Sequence, residues 1–156
     1  MIGYIIRLGF TGLLGLLLAA CGGGSMSHVP LEISGGYVAE AELFQESAKD
    51  PKEYAFVFMH GKNGRPELSH NRAVVQGLNG QGYRVVSPRM PWSRDKWDAP
   101  FKAGREIMLR AVEKAAQGGK KVIVIGHSLG GAGVLNYGTE ALPESVVGMV
   151  TIAPGH

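Results

Sequence analysis

An open, mostly parallel β-sheet with helices on both faces is the fold class this sequence predicts, and three observations predict it. From Tyr54 onward, apolar runs of strand length alternate with segments of helical periodicity, and strands joined through helices in series build parallel sheets by crossover connections. Gly-rich or Pro-containing breaks separate these segments, as at Gly118-Gly119 and Pro88, which is where such connections turn. The chain has 156 residues, the length of a single small domain once an N-terminal segment is set aside.

That N-terminal segment reads as a secretory signal peptide over residues 1–20. Met1 to Arg7 carries one positive charge, Leu8 to Ala20 is an apolar, leucine-rich run, and Leu18-Ala19-Ala20 closes it with small residues before Cys21. The apolar run after Arg7 is short for a membrane span, which needs about 20 residues. Cys21 is the only cysteine, so an intrachain disulfide is excluded. Gly22-Gly23-Gly24-Ser25-Met26-Ser27 reads as a flexible tether, placing a linker over residues 21–30.

The folded elements are expected from residue 31. Leu31 to Ser34 and Tyr37 to Phe44 read as two short strands around Gly35-Gly36, a hairpin signal. Tyr54 to Met59 is an apolar strand breaking at His60-Gly61. Pro66 to Leu78 has Leu68, Val74, Val75 and Leu78 on one helical face, with Pro66 suited to a first turn. Tyr83 to Ser87 is a strand ending at Pro88. Phe101 to Gln117 is a helix with Phe101, Met108, Ala111, Val112 and Ala115 on one face, Lys121 to Ile125 is a buried strand, and Val146 to Ala153 is the last strand. Pro88 to Pro100 leaves the carboxyl end of a strand, the side on which open α/β sheets bind ligands. It holds both tryptophans, Trp92 and Trp97. They serve either as an apolar pocket wall or as packing that pins the loop; Asp95 and Asp98 are read as solvated.

Gly126-His127-Ser128-Leu129-Gly130 carries the chemistry. It joins the Lys121–Ile125 strand to the helix-compatible Gly131-Ala132-Gly133-Val134-Leu135. A serine on a sharp strand-to-helix turn is strained, so the positions two before and two after it must be nearly free of side chain, as Gly126 and Gly130 are. The helix start then aims free N–H groups at a developing oxyanion, and the N–H of Leu129 is the first donor. The loop His60-Gly61-Lys62-Asn63-Gly64 can turn a second N–H to the same point, and Lys62 is the candidate. His60 is read as a side chain that braces the loop. A phosphate loop is a poor alternative, since neither G-x-x-x-x-G-K-[ST] nor G-x-G-x-x-G occurs here.

With these residues the chain resembles the α/β-hydrolase family of esterases and lipases over about Ala55 to Pro154. The resemblance implies Ser128 as nucleophile, Leu129 and Lys62 as oxyanion donors, an ester or other small acyl substrate, and no cofactor. In that family the acid and then the histidine of the triad follow the serine in sequence. After Ser128 this chain offers only Glu140, Glu144 and the terminal His156. Both glutamates fall at the wrong edge of the sheet, and His156 is the one candidate base. Residues 31–156 are therefore expected to be a partial α/β-hydrolase domain whose C-terminal strands are missing, with triad acid and base lost. The alternative is a lipid-anchored, non-catalytic domain that uses the fold for binding. Leu18-Ala19-Ala20-Cys21 also resembles the bacterial lipobox. That implies diacylation of Cys21, cleavage before it, N-acylation with a fatty acid such as palmitate, and, with no Asp at position 22, the periplasmic side of an outer membrane. The membrane is thus an expected partner.

Composition narrows the field further. Sixteen basic and thirteen acidic residues give a formal net charge of +3, and the basic residues are scattered, without the runs or aromatic interleaving of a nucleic-acid surface. The five histidines form no H-x-H, H-E-x-x-H or Cys/His pattern, so no metal site is expected.

Overall fold

The computed structural model describes residues 24–94 and 99–154. The strands are β1 (Met26–Ile33), β2 (Tyr37–Phe44), β3 (Tyr54–Met59), β4 (Arg84–Pro88), β5 (Lys121–His127) and β6 (Val146–Ile152). They form one sheet in the order β1-β2-β4-β3-β5-β6. β1, β2 and β4 pair antiparallel, while β4, β3, β5 and β6 run parallel. The helices are α1 (Ser69–Gly80), α2 (Gly104–Ala115) and α3 (Leu129–Tyr137). This is the open, mostly parallel sheet with flanking helices that the alternation predicts.

Strand alternation divides the apolar residues between two faces. Val57, Met59, Val86, Val122 and Val124 face α2 and α3, meeting Ile107, Met108, Ala111, Val112, Val134 and Tyr137. Phe58, Val85, Ile125 and Phe44 face the other way, onto Val75 of α1. Helices therefore cover both faces.

Three expectations require correction. The tether expected over 21–30 is shorter, because β1 begins at Met26 and Met26 to Pro30 pair with Phe44 to Glu40. These residues are mostly exposed and show no alternating apolar pattern, so they resemble linker, because β1 is the sheet edge, where even Pro30 is tolerated. The helix expected from Pro66 starts at Ser69. The helix expected from Phe101 opens as a 3₁₀ turn, Phe101–Ala103, and Phe101 is 59% exposed where core was expected. Crowding at Gly104 accounts for this: a Cβ there would lie 2.3 Å from the Tyr137 hydroxyl and 3.1 Å from the Trp92 ring. The helix start packs by the absence of a side chain, and Phe101 turns outward against Trp92, ring centroids 5.4 Å apart.

Cys21 and the signal segment lie outside the described residues, as do Asp95, Trp97, Asp98 and His156. Among the described residues no helix is long and apolar enough to cross a membrane.

Candidate active site

Ser128 stands between β5 and α3 with φ 53° and ψ −120°, a conformation that costs a non-glycine residue about 1–3 kcal/mol and persists only where its surroundings impose it. Those surroundings are visible. The Ser128 N–H donates to the Ile152 carbonyl of β6 at 2.9 Å, and the Ser128 carbonyl accepts the Ala132 N–H at 3.0 Å, opening α3. A Cβ on Gly126 would sit 2.2 Å from the Gly130 carbonyl oxygen, and one on Gly130 would sit 2.3 Å from that of Met59. The strand end and the helix start are in backbone contact, and only glycine fits at either position. These five residues make a sharp strand-to-helix turn.

Leu129 is the first residue of α3, so its N–H has no intrahelical acceptor. The loop after β3 passes close by: a Cβ on Gly61 would lie 3.0 Å from the Ser128 Cβ and 3.4 Å from His127 Nδ1. Lys62 follows with its side chain exposed, and among the described residues no backbone carbonyl accepts its N–H. The structure thus brings Ser128, Leu129, Gly126, Gly130 and the segment carrying Lys62 to one point on the carboxyl edge of the sheet. Two N–H groups without carbonyl partners beside a half-buried serine side chain are the kind of arrangement that can stabilise a tetrahedral oxyanion.

His60 is fully buried, and each ring nitrogen is used. Nδ1 lies 2.8 Å from the Gly61 carbonyl, which can only accept, so Nδ1 carries the proton. Nε2 accepts the Met90 N–H at 3.2 Å and faces the Ser93 hydroxyl at 3.0 Å. Burial pushes its pKa down to about 4, against the opposing hydrogen bond to Gly61. A neutral imidazole locked on both sides braces two loops and is not free to take a proton from Ser128.

The start of the loop after β4 is held by Trp92, which is 7% exposed and donates its indole N–H to the His60 carbonyl at 2.8 Å. Of the two readings of this tryptophan, packing is the one realised, and Phe101, tilted against it at 43°, presents the exposed ring. Sequence reasoning missed Ser93 and Met90 as the partners that fix His60; the polar loop at the end of β4 was the available signal. A second feature it missed is a cavity of about 310 Å³ beside the turn, lined by Phe58, His70, Asn71, Val74, His127 and Ile152. Another cavity, about 380 Å³, lies at the β1–β2 side, where the ion pairs Arg72–Glu42 and Arg65–Glu67 line it.

Glu140 pairs with Arg105 at 3.0 Å, and Glu144 lies in the connection leading into β6. Neither is at the Ser128 edge. Among the described residues no group of three or more His, Cys, Asp or Glu is placed to hold a metal ion.

The fold and this strand-turn-helix site define a class, the α/β hydrolases. The model of the alpha/beta hydrolase family matches residues 56–156, and the chain belongs to that family. No curated protein sequence matches. Among solved structures, the chain is similar to esterase Est22, with a TM-score of 0.68 at 17% identity over 84% of this chain and 44% of that one. Brefeldin A esterase, described as a bacterial homologue of human hormone-sensitive lipase, gives 0.61 at 20% identity over 85% and 37%. The Pyrococcus furiosus esterase Pf2001 gives 0.65 at 17% over 84% and 49%. The chain spans less than half the length of each of these structures.

Proposed function

We propose that this chain is the nucleophile-bearing part of a serine hydrolase acting on ester or other small acyl substrates. The observation that carries the reading is the strained backbone of Ser128, held at φ 53° by glycine-only contacts on both sides. Strain retained at a serine on the carboxyl edge of the sheet points to a catalytic hydroxyl. In the reaction, Ser128 Oγ attacks the substrate carbonyl and the N–H groups of Leu129 and Lys62 stabilise the oxyanion; the acyl–O bond of the ester then breaks, the alcohol leaves with the proton taken from Oγ, and water cleaves the acyl-serine to release the acid and restore Ser128. The proton of Oγ needs a base, and His60 is committed elsewhere. The base and its acid partner are assigned to polypeptide outside the described residues, consistent with a chain that matches under half of its structural relatives. His156 lies there too and is the first residue to test.

A fluorophosphonate probe tests this. The 156-residue chain should label slowly, because nucleophile, base and oxyanion donors act as a strongly non-additive unit. A longer form that supplies the base should label fast and lose labelling on Ser128→Ala. Labelling that survives Ser128→Ala in the longer form would overturn the assignment. Absence of labelling in every form would favour a second reading, a non-catalytic binding domain.

We further propose that Cys21 is acylated and anchors the domain in a bacterial envelope membrane. Intact mass of the membrane fraction should show a chain beginning at Cys21 with added acyl mass. A soluble, unmodified product would overturn it.

A further inference from the structure

We propose that the cavity beside Ser128 receives the acyl group, and that the substrates are esters of short, uncharged, apolar carboxylic acids. The inference rests on the Ser128 chemistry proposed above and adds to it which part of the ester the protein selects.

The cavity has a volume of about 310 Å³, at the lower end of the roughly 300–1,000 Å³ of sites that hold small molecules. Phe58, Val74 and Ile152 give it apolar walls, and its polar residues are His70, Asn71 and His127, so among the described residues no Asp, Glu, Lys or Arg lines it. A charged group placed there would lose its hydration with no counter-ion in return. An alkyl group is driven in by leaving water.

Two of these walls are joined to Ser128. His127 precedes it in the chain, and the Ile152 carbonyl accepts the Ser128 N–H at 2.9 Å. His127 also reaches the loop that carries Lys62, since a Cβ on Gly61 would lie 3.4 Å from its Nδ1. The cavity lies on the α1 face of the sheet, where Phe58 shares a core with Val75, whereas α3 packs on the opposite face. A carbonyl whose oxygen is held at the start of α3 therefore has the α1 side open to one of its two substituents. Phe58 is fully buried and forms the inner wall. A buried wall suits the acyl group, which stays through both half-reactions, better than the alcohol, which must depart after the first. Val74 stands on α1 at the surface, so the length of the cavity can be changed there without touching the sheet.

The test gives the 156-residue chain p-nitrophenyl acetate, butyrate and dodecanoate, activated esters that a slow serine can still attack. The acyl group bonds to Ser128 Oγ, p-nitrophenolate departs and the Oγ proton goes to solvent; the rate is the release of p-nitrophenolate less that of Ser128→Ala, and intact mass reports the acyl-enzyme. Butyrate should react about tenfold faster than acetate, with dodecanoate slower than butyrate. Val74→Trp should bring the butyrate-to-acetate ratio near one, and Val74→Ala should raise dodecanoate relative to butyrate. Leu135→Trp, at an exposed position of α3, should keep the wild-type ratios. Each ratio is taken within one variant, so a damaged fold, which slows all esters alike, does not mimic the effect. Equal ratios in wild type and both Val74 variants would overturn the acyl assignment while leaving Ser128 as nucleophile. So would a Val74 effect confined to the alcohol side, read as the ratio of phenyl to 2-naphthyl butyrate. No Ser128-dependent release from any ester, in this chain or in a longer form, would overturn the Ser128 chemistry and this inference together.

Discussion

Acid should weaken this fold through His60 in a way that one substitution removes. The unfolded chain takes up a proton on this imidazole near pH 6.5, whereas the folded one holds it neutral down to about 4. Between those values the unfolded state binds more protons, so stability falls as pH falls. The 2.5-unit gap corresponds to about 3 kcal/mol at full effect, and about 2 kcal/mol of it is lost between pH 7.5 and pH 5. Stopping at pH 5 keeps the window above ordinary carboxylate titration. Urea unfolding at the two pH values measures it, read from the midpoint at constant slope. His60→Gln should be less stable at pH 7.5, because the Met90 N–H and Gly61 carbonyl lose their partner, yet its loss between the two pH values should be smaller by about 2 kcal/mol. An equal pH-dependent loss in His60→Gln and wild type would refute the argument and place the proton uptake elsewhere.

Two further outcomes follow from the turn at Ser128. Ser128→Gly should raise the unfolding temperature by relieving about 1 kcal/mol of backbone strain, and Ser128→Ala should not, since alanine keeps the Cβ that makes φ 53° costly; calorimetry on both variants decides it. Gly130→Ala should cost about 3 kcal/mol or more, because its Cβ would meet two backbone oxygens, those of Met59 and His60 at 2.3 and 2.7 Å, which cannot step aside like a side chain; thermal melts measure it.

Much of this fold was legible in the sequence because its central parallel strands, β3, β4 and β5, are buried on both faces. Val57, Phe58 and Met59 alternate between two cores, so the strand reads as a continuous apolar run. Gly126-His127-Ser128-Leu129-Gly130 was legible for a different reason: its two glycines are demanded by backbone contacts within the motif's own neighbourhood. The start of β1 was not legible. Met26 to Pro30 pair on one side only, and an edge strand open to water has no apolar pattern to reveal it. Nor could helical spacing show that Phe101 points outward, since that depends on Trp92 and Tyr137 filling the space over Gly104. The His60 network joins residues up to 33 apart across two loops, and only the fold brings them together.

The division of the sheet into two cores has a consequence for how the molecule breathes. α2 contributes Ile107, Met108, Ala111, Val112 and Ala115 to its core, whereas α1 contributes Val75 as its fully buried apolar residue, with Leu78 partly buried beside it. Local opening follows the area of apolar contact that must be given up, so α1 is the helix that detaches first while the rest of the sheet stays closed. It carries His70, Asn71 and Val74, half the lining of the cavity beside Ser128. The wall on that side of Ser128 is therefore built on the least firmly held helix, and its amides should exchange with solvent through openings too small to unfold the domain.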